Sequence, residues 1–144
     1  MVQKETEIMT ERVTKTSTCL CGSISLTLTG EDKGACMCHC KNCQLSSGSS
    51  FAHNYRLSNG ELKILKGEDL LREYADQDTK SGNTLLRHFC GKCGSPLYIN
   101  TPEGSFYALT AGTMQTQAAP QVEYFVKNKH PWLTAMGTSA SPSL

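Results

Sequence analysis

Apolar and polar side chains alternate along much of this chain. From Ile24 to Thr29, isoleucine or leucine alternates with serine or threonine, and this period of two predicts a half-buried strand that ends at Gly30. Seven more short strands are predicted at residues 51–57, 62–65, 70–74, 85–89, 96–99, 106–110 and 122–126. Glycine, asparagine, aspartate or proline separates nearly all of them, as in Ser58-Asn59-Gly60. The pattern therefore predicts an all-β chain.

A single domain is the simplest organisation for a chain of 144 residues without an internal linker. Residues 68–74 are the only segment with a helical period, and that segment is too short to predict a helix. The first residues are rich in threonine, glutamate and lysine without an apolar period, and the last residues are small and polar. We therefore predict flexible tails at residues 1–16 and 136–144 and a folded domain at residues 17–135.

The charged side chains nearly balance, since 14 basic and 13 acidic residues leave a net charge of +1. Such a surface has no general attraction for nucleic acid or for an anionic membrane, and the basic residues at 127–130 are too few to indicate a nucleic-acid site. No stretch approaches the roughly 18 consecutive apolar residues of a membrane span. Residues 1–15 do not resemble a signal peptide. These features predict a cytoplasmic protein without nucleic-acid or membrane partners.

Eight cysteines make the composition unusual. An even number of cysteines is typical of a secreted scaffold held by disulfides, but in a reducing cytosol clustered cysteines more often bind metal or carry out redox chemistry. They fall into three groups, at residues 19–21, 36–43 and 90–93. The spacing within these groups favours metal binding over disulfides.

The first and last groups complement each other. Cys90-x-x-Cys93 followed by Gly94 has the form of a zinc knuckle, a tight turn in which two thiolates face inward and backbone N–H groups donate to the sulfurs. One knuckle supplies half of a tetrahedron, and Cys19-x-Cys21, which a glycine also follows, is the natural source of the other half. A closed four-cysteine site of structural type would then tie the first predicted strand to a late hairpin. Closing so long a loop restricts the unfolded chain strongly.

The middle group, Cys38-x-Cys40-x-x-Cys43, offers three thiolates without an obvious distant partner. Three protein ligands and an exchangeable fourth position are the arrangement of a catalytic zinc ion. Cys36 is an alternative fourth ligand, because a strand would place it on the same side as Cys38 and Cys40. His39 would point to the opposite face as a neighbour or a core residue. Zinc or a single rubredoxin-type iron suits these thiolates better than an iron–sulfur cluster.

The motifs also occur in a specific order. Cys-x-Cys-Gly-x-Ile lies at residues 19–24, Cys-His-Cys-x-x-Cys with a following Gly-Ser at 38–49, Phe-Cys-x-x-Cys-Gly-x-x-Leu at 89–97, and Lys-x-x-Trp at 129–132. In this order and spacing, over about residues 17–133, the chain resembles the glutathione-dependent formaldehyde-activating enzyme family, which also includes centromere protein V.

This resemblance implies a β-tent-like fold of small antiparallel sheets held together by zinc. It implies a structural zinc ion and a second, labile and catalytic one. The structural ligands would be Cys19, Cys21, Cys90 and Cys93, and the catalytic ligands would be Cys38, Cys40 and Cys43. It also implies a carbon–sulfur lyase activity, in which formaldehyde and glutathione form S-(hydroxymethyl)glutathione. Gln44 and Leu45 stand where the family often carries a basic residue, so one candidate anchor for a glutathione carboxylate is missing.

A mechanism follows from the three-thiolate site. Its zinc ion would hold a small substrate thiol, with glutathione as one candidate, as a thiolate beside an aldehyde. Serines at 46–50 are candidate donors to the substrate. His53 is a candidate proton shuttle, although a strand histidine that makes one hydrogen bond is the simpler interpretation. The alternatives are an enzyme for a different metabolite, a non-enzymatic zinc-binding adaptor with a closed second site, and a redox protein with reversible disulfides.

Overall fold

A computed structural model describes residues 11–134 of the chain and the backbone of residues 139–140. This part of the chain forms nine strands and one short α-helix, so the all-β class is confirmed. The strands are β1 (Arg12–Thr18), β2 (Ser25–Cys38), β3 (Ala52–Lys66), β4 (Leu71–Asp76), β5 (Leu85–Cys90), β6 (Pro96–Asn100), β7 (Phe106–Thr110), β8 (Pro120–Tyr124) and β9 (Ser139–Ala140). The helix α1 is Lys41–Ser47, and single 3-10 turns occupy Glu68–Leu70, Ala111–Thr113 and Val126–Asn128.

The strands are hydrogen-bonded into one continuous sheet in the order β4-β5-β6-β7-β3-β2-β8-β9. The long antiparallel pair of β2 and β3 forms its centre. Two strands pair with the edge of β2 that faces away from β3. β1 pairs antiparallel with the first half of β2, and β8 pairs parallel with its last four residues. β9 in turn pairs parallel with β8. The strands are therefore connected more extensively than the separate small sheets that we expected.

Two predicted breaks in the strands are wrong. β2 continues through Gly30 to Cys38, and β3 continues through Ser58-Asn59-Gly60, where a bulge with Asn59 at φ 49° replaces the predicted turn. The glycines serve close packing instead. A Cβ at Gly30 would lie 2.9 Å from the carbonyl oxygen of Ser58, and one at Gly60 would lie 2.5 Å from Cδ1 of Tyr107. Because neither position has room for a side chain, glycine here marks crowding between strands.

The ordered region also begins earlier than residue 17. β1 starts at Arg12, so residues 12–16 belong to the sheet and not to a tail. Its sequence, Arg-Val-Thr-Lys-Thr-Ser-Thr, shows little apolar alternation, because it is an edge strand that pairs only with β2 among the named strands. Thr14 and Thr29 share a hydrogen bond of 2.8 Å between their hydroxyl oxygens across this pair. Of the tails predicted at 1–16 and 136–144, residues 1–10, 136–138 and 141–144 lie outside the described residues, as does residue 135.

The alternation that predicted the first strand does define the core. Ile24, Leu26 and Leu28 are fully buried, and they pack with Leu57, Leu97 and Leu109 from other strands. Cys19 and Cys90 belong to the same core. A second, smaller apolar cluster contains Cys40, Cys43 and Ala52, with Cys38 and Phe125 packed against it. The two groups of cysteines are therefore built into separate apolar environments. None of the helices among the described residues is long and apolar enough to cross a membrane.

Candidate metal centres and the adjoining cavity

The first cluster is formed by Cys19, Cys21, Cys90 and Cys93. The first two thiols lie in the loop after β1, Cys90 ends β5, and Cys93 lies in the turn before β6. All four Sγ atoms lie within 4.8 Å of one another, with 3.6 Å between Cys19 and Cys21 and 3.8 Å between Cys21 and Cys90. A tetrahedral zinc ion with Zn–S bonds of about 2.3 Å requires S–S distances of about 3.8 Å. The donors and their spacing therefore fit Zn²⁺.

Backbone N–H groups point at these sulfurs. Ile24 N lies 3.3 Å from Cys19 Sγ, Cys21 N lies 3.5 Å from Cys93 Sγ, and Cys93 N lies 3.4 Å from Cys90 Sγ. Such donors stabilise thiolate over thiol. A hydrogen bond from Ser95 contributes most to lowering the pKa of Cys93 to about 5. The loops are thus shaped to hold charged sulfurs, as the knuckle interpretation expects.

Glycine permits both turns of the first cluster. Gly22 has φ 78° and Gly94 has φ 81°, a backbone conformation that a side chain disfavours. In these turns Gly22 N donates to Cys19 O at 3.0 Å and Gly94 N donates to Cys90 O at 2.8 Å. The glycine that follows each cysteine pair in the sequence is therefore part of how the pair is presented.

The second cluster is formed by Cys38, Cys40 and Cys43, whose three Sγ atoms also lie within 4.8 Å of one another. Cys38 is the last residue of β2, and Cys40 is the N-cap of α1. The Sγ atom of Cys40 accepts a hydrogen bond from Cys43 N at 3.4 Å. The alternative ligand set with Cys36 assumed a strand that continues through Cys40, and the strand ends at Cys38. A helix begins directly after Cys40, and its first turn brings the sulfurs of Cys40 and Cys43 together.

Cys36 stays out of both clusters. It lies in β2 with 4% of its surface exposed, and burial raises the pKa of its thiol. It is absent from the set of thiols that converge with Cys38. The physical reason is the change from strand to helix, which turns Cys40 and Cys43 away from the line of the strand. The alternative in which Cys36 completes a four-cysteine site is therefore not met.

The second cluster needs a cation to hold three thiolates. Hydrogen bonds from Cys38 and Cys43 lower the pKa of Cys40 to about 2, with a further contribution from the charge of Arg87. The hydrogen bond with Cys40 raises the pKa of Cys38 to about 12. Hydrogen bonds with Cys38 and Cys40 raise the pKa of Cys43 as well. Three ionised sulfurs this close together repel one another, so a nearby positive charge is needed to keep all three as thiolates. A divalent cation removes this repulsion, and thiolate sulfur is a preferred ligand of zinc.

A buried charged network lies behind the second cluster. His39 is fully buried, and its Nε2 lies 2.9 Å from Oε1 of Glu123 in β8. Nζ of Lys129 lies 2.9 Å from the same oxygen. Gln44 Nε2 donates to the carbonyl oxygen of His39 at 2.8 Å, and its Oε1 lies 3.0 Å from Nε2 of His130. The segment that carries the three cysteines is therefore fixed from behind, and His39 is a buried neighbour as expected.

A cavity of about 410 Å³ adjoins the second cluster. Ala52, which packs against Cys40 and Cys43, is one of its walls, and Ser46 and Ser47 at the end of α1 are others. Aromatic rings form much of the remaining lining. They belong to Phe51, Tyr74, Phe89 and Tyr98.

Two polar side chains of the cavity, Arg87 and His53, make contacts within the protein. Arg87 lies with Nε 2.8 Å from Oδ2 of Asp76 and donates from Nη1 to Ser46 Oγ at 3.1 Å. His53 donates from Nε2 to the carbonyl oxygen of Ala118 at 2.8 Å, which leaves Nδ1 as the acceptor of the neutral ring. This is the single hydrogen bond that we expected of a strand histidine.

His88 forms part of the cavity wall. Its ring lies against Tyr98 with 4.2 Å between centroids, and its Nε2 lies 3.3 Å from Oε2 of Glu73 without hydrogen-bond geometry. Burial lowers its pKa, and the charge of Glu73 opposes this shift. His88 precedes Cys90 of the first cluster by two residues, and Gly94, which follows Cys93, also lines the cavity.

Comparison with known proteins agrees with this architecture. The model of the family described as "Glutathione-dependent formaldehyde-activating enzyme" matches residues 14–128, which is most of the chain. The chain belongs to this family. Its members take their name from an enzymatic activity, and the two clusters of cysteines in this member fit zinc binding.

Among solved structures, a Rhodobacter sphaeroides protein is similar in fold. The TM-score is 0.55 at 17% sequence identity, and the match covers 69% of this chain and 87% of that one. No curated protein matches the chain. The fold and the family are thus shown, and the residues of the site carry the argument on chemistry.

Sequence reasoning missed several residues around the second cluster. Glu123 lies 84 positions from His39, and no spacing connects the two. Arg87 and Asp76 lie on neighbouring strands that were predicted, but the contact between the strands was not. The helix α1 was missed because it has seven residues and because cysteine is an uncommon N-cap.

Proposed function

We propose that this protein is a zinc-dependent enzyme of carbon–sulfur lyase type, which forms or cleaves a small adduct of a thiol and an aldehyde at the second cluster. One observation carries the proposal. Three thiol sulfurs converge beside a cavity, and no fourth His, Cys, Asp or Glu ligand atom joins them among the described residues. Three protein ligands with an open position distinguish catalytic zinc sites from structural ones.

The two clusters divide the roles. In this proposal Cys19, Cys21, Cys90 and Cys93 hold a structural ion, and Cys38, Cys40 and Cys43 hold a labile catalytic one. When bound, that ion lowers the pKa of a substrate thiol and keeps it as a thiolate at neutral pH. The network of Glu123 and Lys129 keeps the three cysteines in place. The cavity orients the aldehyde next to the sulfur, which replaces a bimolecular encounter by an oriented one.

The reaction balances without a redox partner. Sulfur of the thiol forms a bond to the carbonyl carbon, the C=O π electrons move to oxygen, and the thiol proton ends on that oxygen. In the lyase direction the carbon–sulfur bond breaks and the hydroxyl proton returns to sulfur. His53, which lines the cavity and whose Nε2 donates to the carbonyl oxygen of Ala118, is the proposed proton carrier.

Glutathione is the thiol that the family description suggests. The serines that were candidates to bind it make internal contacts, since Ser47 Oγ donates to Phe51 O at 3.3 Å and accepts from Ser49 N at 3.2 Å. Gln44, which stands where the family often has a basic residue, is held by His39 and His130. These contacts leave the identity of the thiol to experiment.

The test combines metal content with kinetics. Elemental analysis of protein purified without added metal is expected to give two zinc ions per chain, and one in Cys40→Ser. Cys36→Ala is the matched control, because Cys36 is a buried cysteine of β2 that lies outside both clusters, and this variant should retain two zinc ions. Because aldehydes add to thiols unaided, rates are compared with Cys40→Ser and with a protein-free reaction. Two zinc ions in Cys40→Ser, or equal rates for Cys40→Ser and the wild type with every thiol and aldehyde pair, would contradict the proposal.

A further inference from the structure

We propose that the cavity beside the second cluster binds the aldehyde half of the substrate, and that this aldehyde carries an uncharged aromatic group. This inference rests on the proposed function and names the substrate class for it. It separates this protein from the activity that the family description prints, in which the aldehyde has one carbon atom.

The first step is location. Ala52 is paired with Cys38 across β2 and β3, packs with Cys40 and Cys43, and lines the cavity. Arg87, another wall residue, donates from Nη1 to Ser46 Oγ at 3.1 Å, and Ser46 belongs to α1, the helix that carries Cys43. Ala52 thus separates the cavity from the second cluster by one side chain, and in this proposal a group attached to a carbon that reacts at the cluster extends into the cavity.

The second step is size. The cavity measures about 410 Å³. Small-molecule sites in proteins usually measure about 300–1,000 Å³, and a one-carbon aldehyde would leave nearly all of this space to water. Water against aromatic walls is unfavourable compared with an apolar group in the same place. The volume therefore fits an aldehyde with a ring and a few further atoms.

The third step is the chemistry of the walls. Three segments of the chain contribute aromatic rings to the walls. Phe51 precedes β3, Phe89 lies in β5, and Tyr98 lies in β6, with 4.2 Å between its ring centroid and that of His88. Tyr74, which is 62% exposed, stands at the mouth. Aromatic rings pair with one another in offset or edge-to-face contacts that add to the gain from burial. Such walls select an aromatic occupant.

The fourth step is charge. Arg87 is the only lysine or arginine among the lining residues, and Asp76 neutralises it at 2.8 Å. Glutathione carries two carboxylates and an ammonium group, and these would lose water in the cavity while its arginine is already paired with Asp76. Burying unpaired charges costs several kcal/mol or more. The cavity therefore disfavours the ionised thiol and suits the uncharged carbonyl partner.

Gly112 offers a way to fill the cavity without disturbing the fold. It lines the cavity, its φ is not in the left-handed region, and a Cβ added there meets no heavy atom within 4 Å. Gly112→Trp therefore places a large side chain in the binding space. Leu65→Trp is the matched control, because Leu65 is a 49% exposed residue of β3 that does not line the cavity.

The experiment uses the zinc-loaded protein and benzyl alcohol, an unreactive analogue of an aromatic aldehyde, with binding followed by ligand-observed NMR and calorimetry. We expect saturable binding to the wild type and to Leu65→Trp, and binding at least tenfold weaker in Gly112→Trp with its zinc content unchanged. Benzaldehyde should then compete with benzyl alcohol, and formaldehyde should not. Absence of saturable binding, or equal binding in Gly112→Trp, overturns the inference.

Kinetics separate this inference from the proposed function. If the wild type processes formaldehyde with glutathione and not benzaldehyde with any thiol, the inference fails and the proposed function stands. If benzyl alcohol binds in the cavity and Cys40→Ser changes no rate with any aldehyde, the proposed function fails. Zinc-dependent adduct formation that prefers benzaldehyde and is lost in Gly112→Trp supports both.

Discussion

The two clusters of cysteines use the same donor atom at the same spacing and are built in opposite ways. The first cluster joins thiols 69 positions apart, Cys21 and Cys90, through two glycine turns whose N–H groups point at the sulfurs. The second cluster takes three thiols from the end of one strand and the first turn of one helix. A site that closes a long loop stabilises the fold, whereas a local site adds little chain restriction and is free to leave a position open.

The residues that surround the two clusters differ as well. Cys19 and Cys90 belong to the main core, which also contains five buried leucines. The second cluster has a small apolar cluster of its own, a charged network behind it and a cavity in front of it. Burying charged groups costs stability, so the charged network buried behind the second cluster indicates where function is placed.

The largest expected effect comes from removing a ligand of the first cluster. Apparent binding free energies of structural zinc are about 10–16 kcal/mol, and the free energy of unfolding of a domain is about 5–15 kcal/mol. Cys90→Ser should therefore abolish cooperative unfolding, while Cys40→Ser should keep it. Circular dichroism during heating, with zinc analysis of each sample, measures the difference. A Cys90→Ser protein that melts within a few degrees of the wild type would remove the distinction between the clusters.

Chelation should show the next largest difference. An ion with an exchangeable fourth position is open to attack by a chelator, and an ion enclosed by four thiolates is not. We expect one equivalent of zinc to leave quickly with the far-ultraviolet spectrum unchanged, and the second to leave slowly together with unfolding. Cys40→Ser should lack the fast phase. Release of both equivalents in one phase from the wild type would show that the second cluster is closed.

Glu123→Gln tests the network behind the second cluster. It leaves Lys129 and His39 without the carboxylate oxygen that lies 2.9 Å from each. Breaking a buried ion pair costs about 3–5 kcal/mol, and we expect the lower end because the Lys129 side chain is 17% exposed. Partners that orient metal ligands change metal affinity by about 10–100-fold, so zinc affinity should fall at the second cluster only.

Glu73→Gln is the matched control for that change. Glu73 faces His88 near the first cluster, but its side chain is 53% exposed, and exposed pairs contribute about 0–1 kcal/mol. Unfolding in urea and competition with a chelator measure the two effects. If Glu123→Gln lowers stability and leaves zinc affinity at the second cluster intact, the network supports the fold alone.

These differences explain what the sequence could predict. The members of both clusters could be grouped from spacing, because a Cys-x-x-Cys turn and a short cysteine run place thiols by local geometry. The alternation at Ile24, Leu26 and Leu28 identified a strand of the core for the same reason. Local rules also gave wrong results where tertiary packing decided the outcome, as at Gly30 and Gly60, which glycine occupies for lack of space.

The remainder of the site depends on long-range contacts. Glu123 reaches His39 because β8 pairs parallel with the end of β2, an arrangement that no short motif predicts. The cavity requires α1 and the start of β3 to face β5 and β6. A single sequence contains no signal for such pairings beyond the existence of the strands, so the two groups of cysteines could be predicted and the cavity could not.

The smallest predicted effect concerns the charge of the cavity. Burial raises the pKa of Asp76, but the hydrogen bonds from Arg87 and Asn42 outweigh it and hold the pKa below its ordinary value. The carboxylate is therefore ionised at neutral pH and neutralises Arg87. Asp76→Asn removes that neutralisation at nearly constant size. Charge-assisted hydrogen bonds contribute about 1.5–3 kcal/mol, so we expect glutathione to bind about tenfold more tightly to Asp76→Asn, with benzyl alcohol unchanged.

Asp78→Asn separates this local effect from the overall charge. Asp78 is exposed, and Asp78→Asn changes the net charge by the same amount as Asp76→Asn. The Asp78 side chain makes no ion pair with Arg87. Calorimetric titration of both variants with glutathione and with benzyl alcohol measures the change. Equal tightening in both variants would assign the effect to net charge. Tighter glutathione binding in Asp76→Asn alone would show that the pairing of Arg87 with Asp76 sets which substrates the cavity admits. A lack of basic residues would then not be the cause.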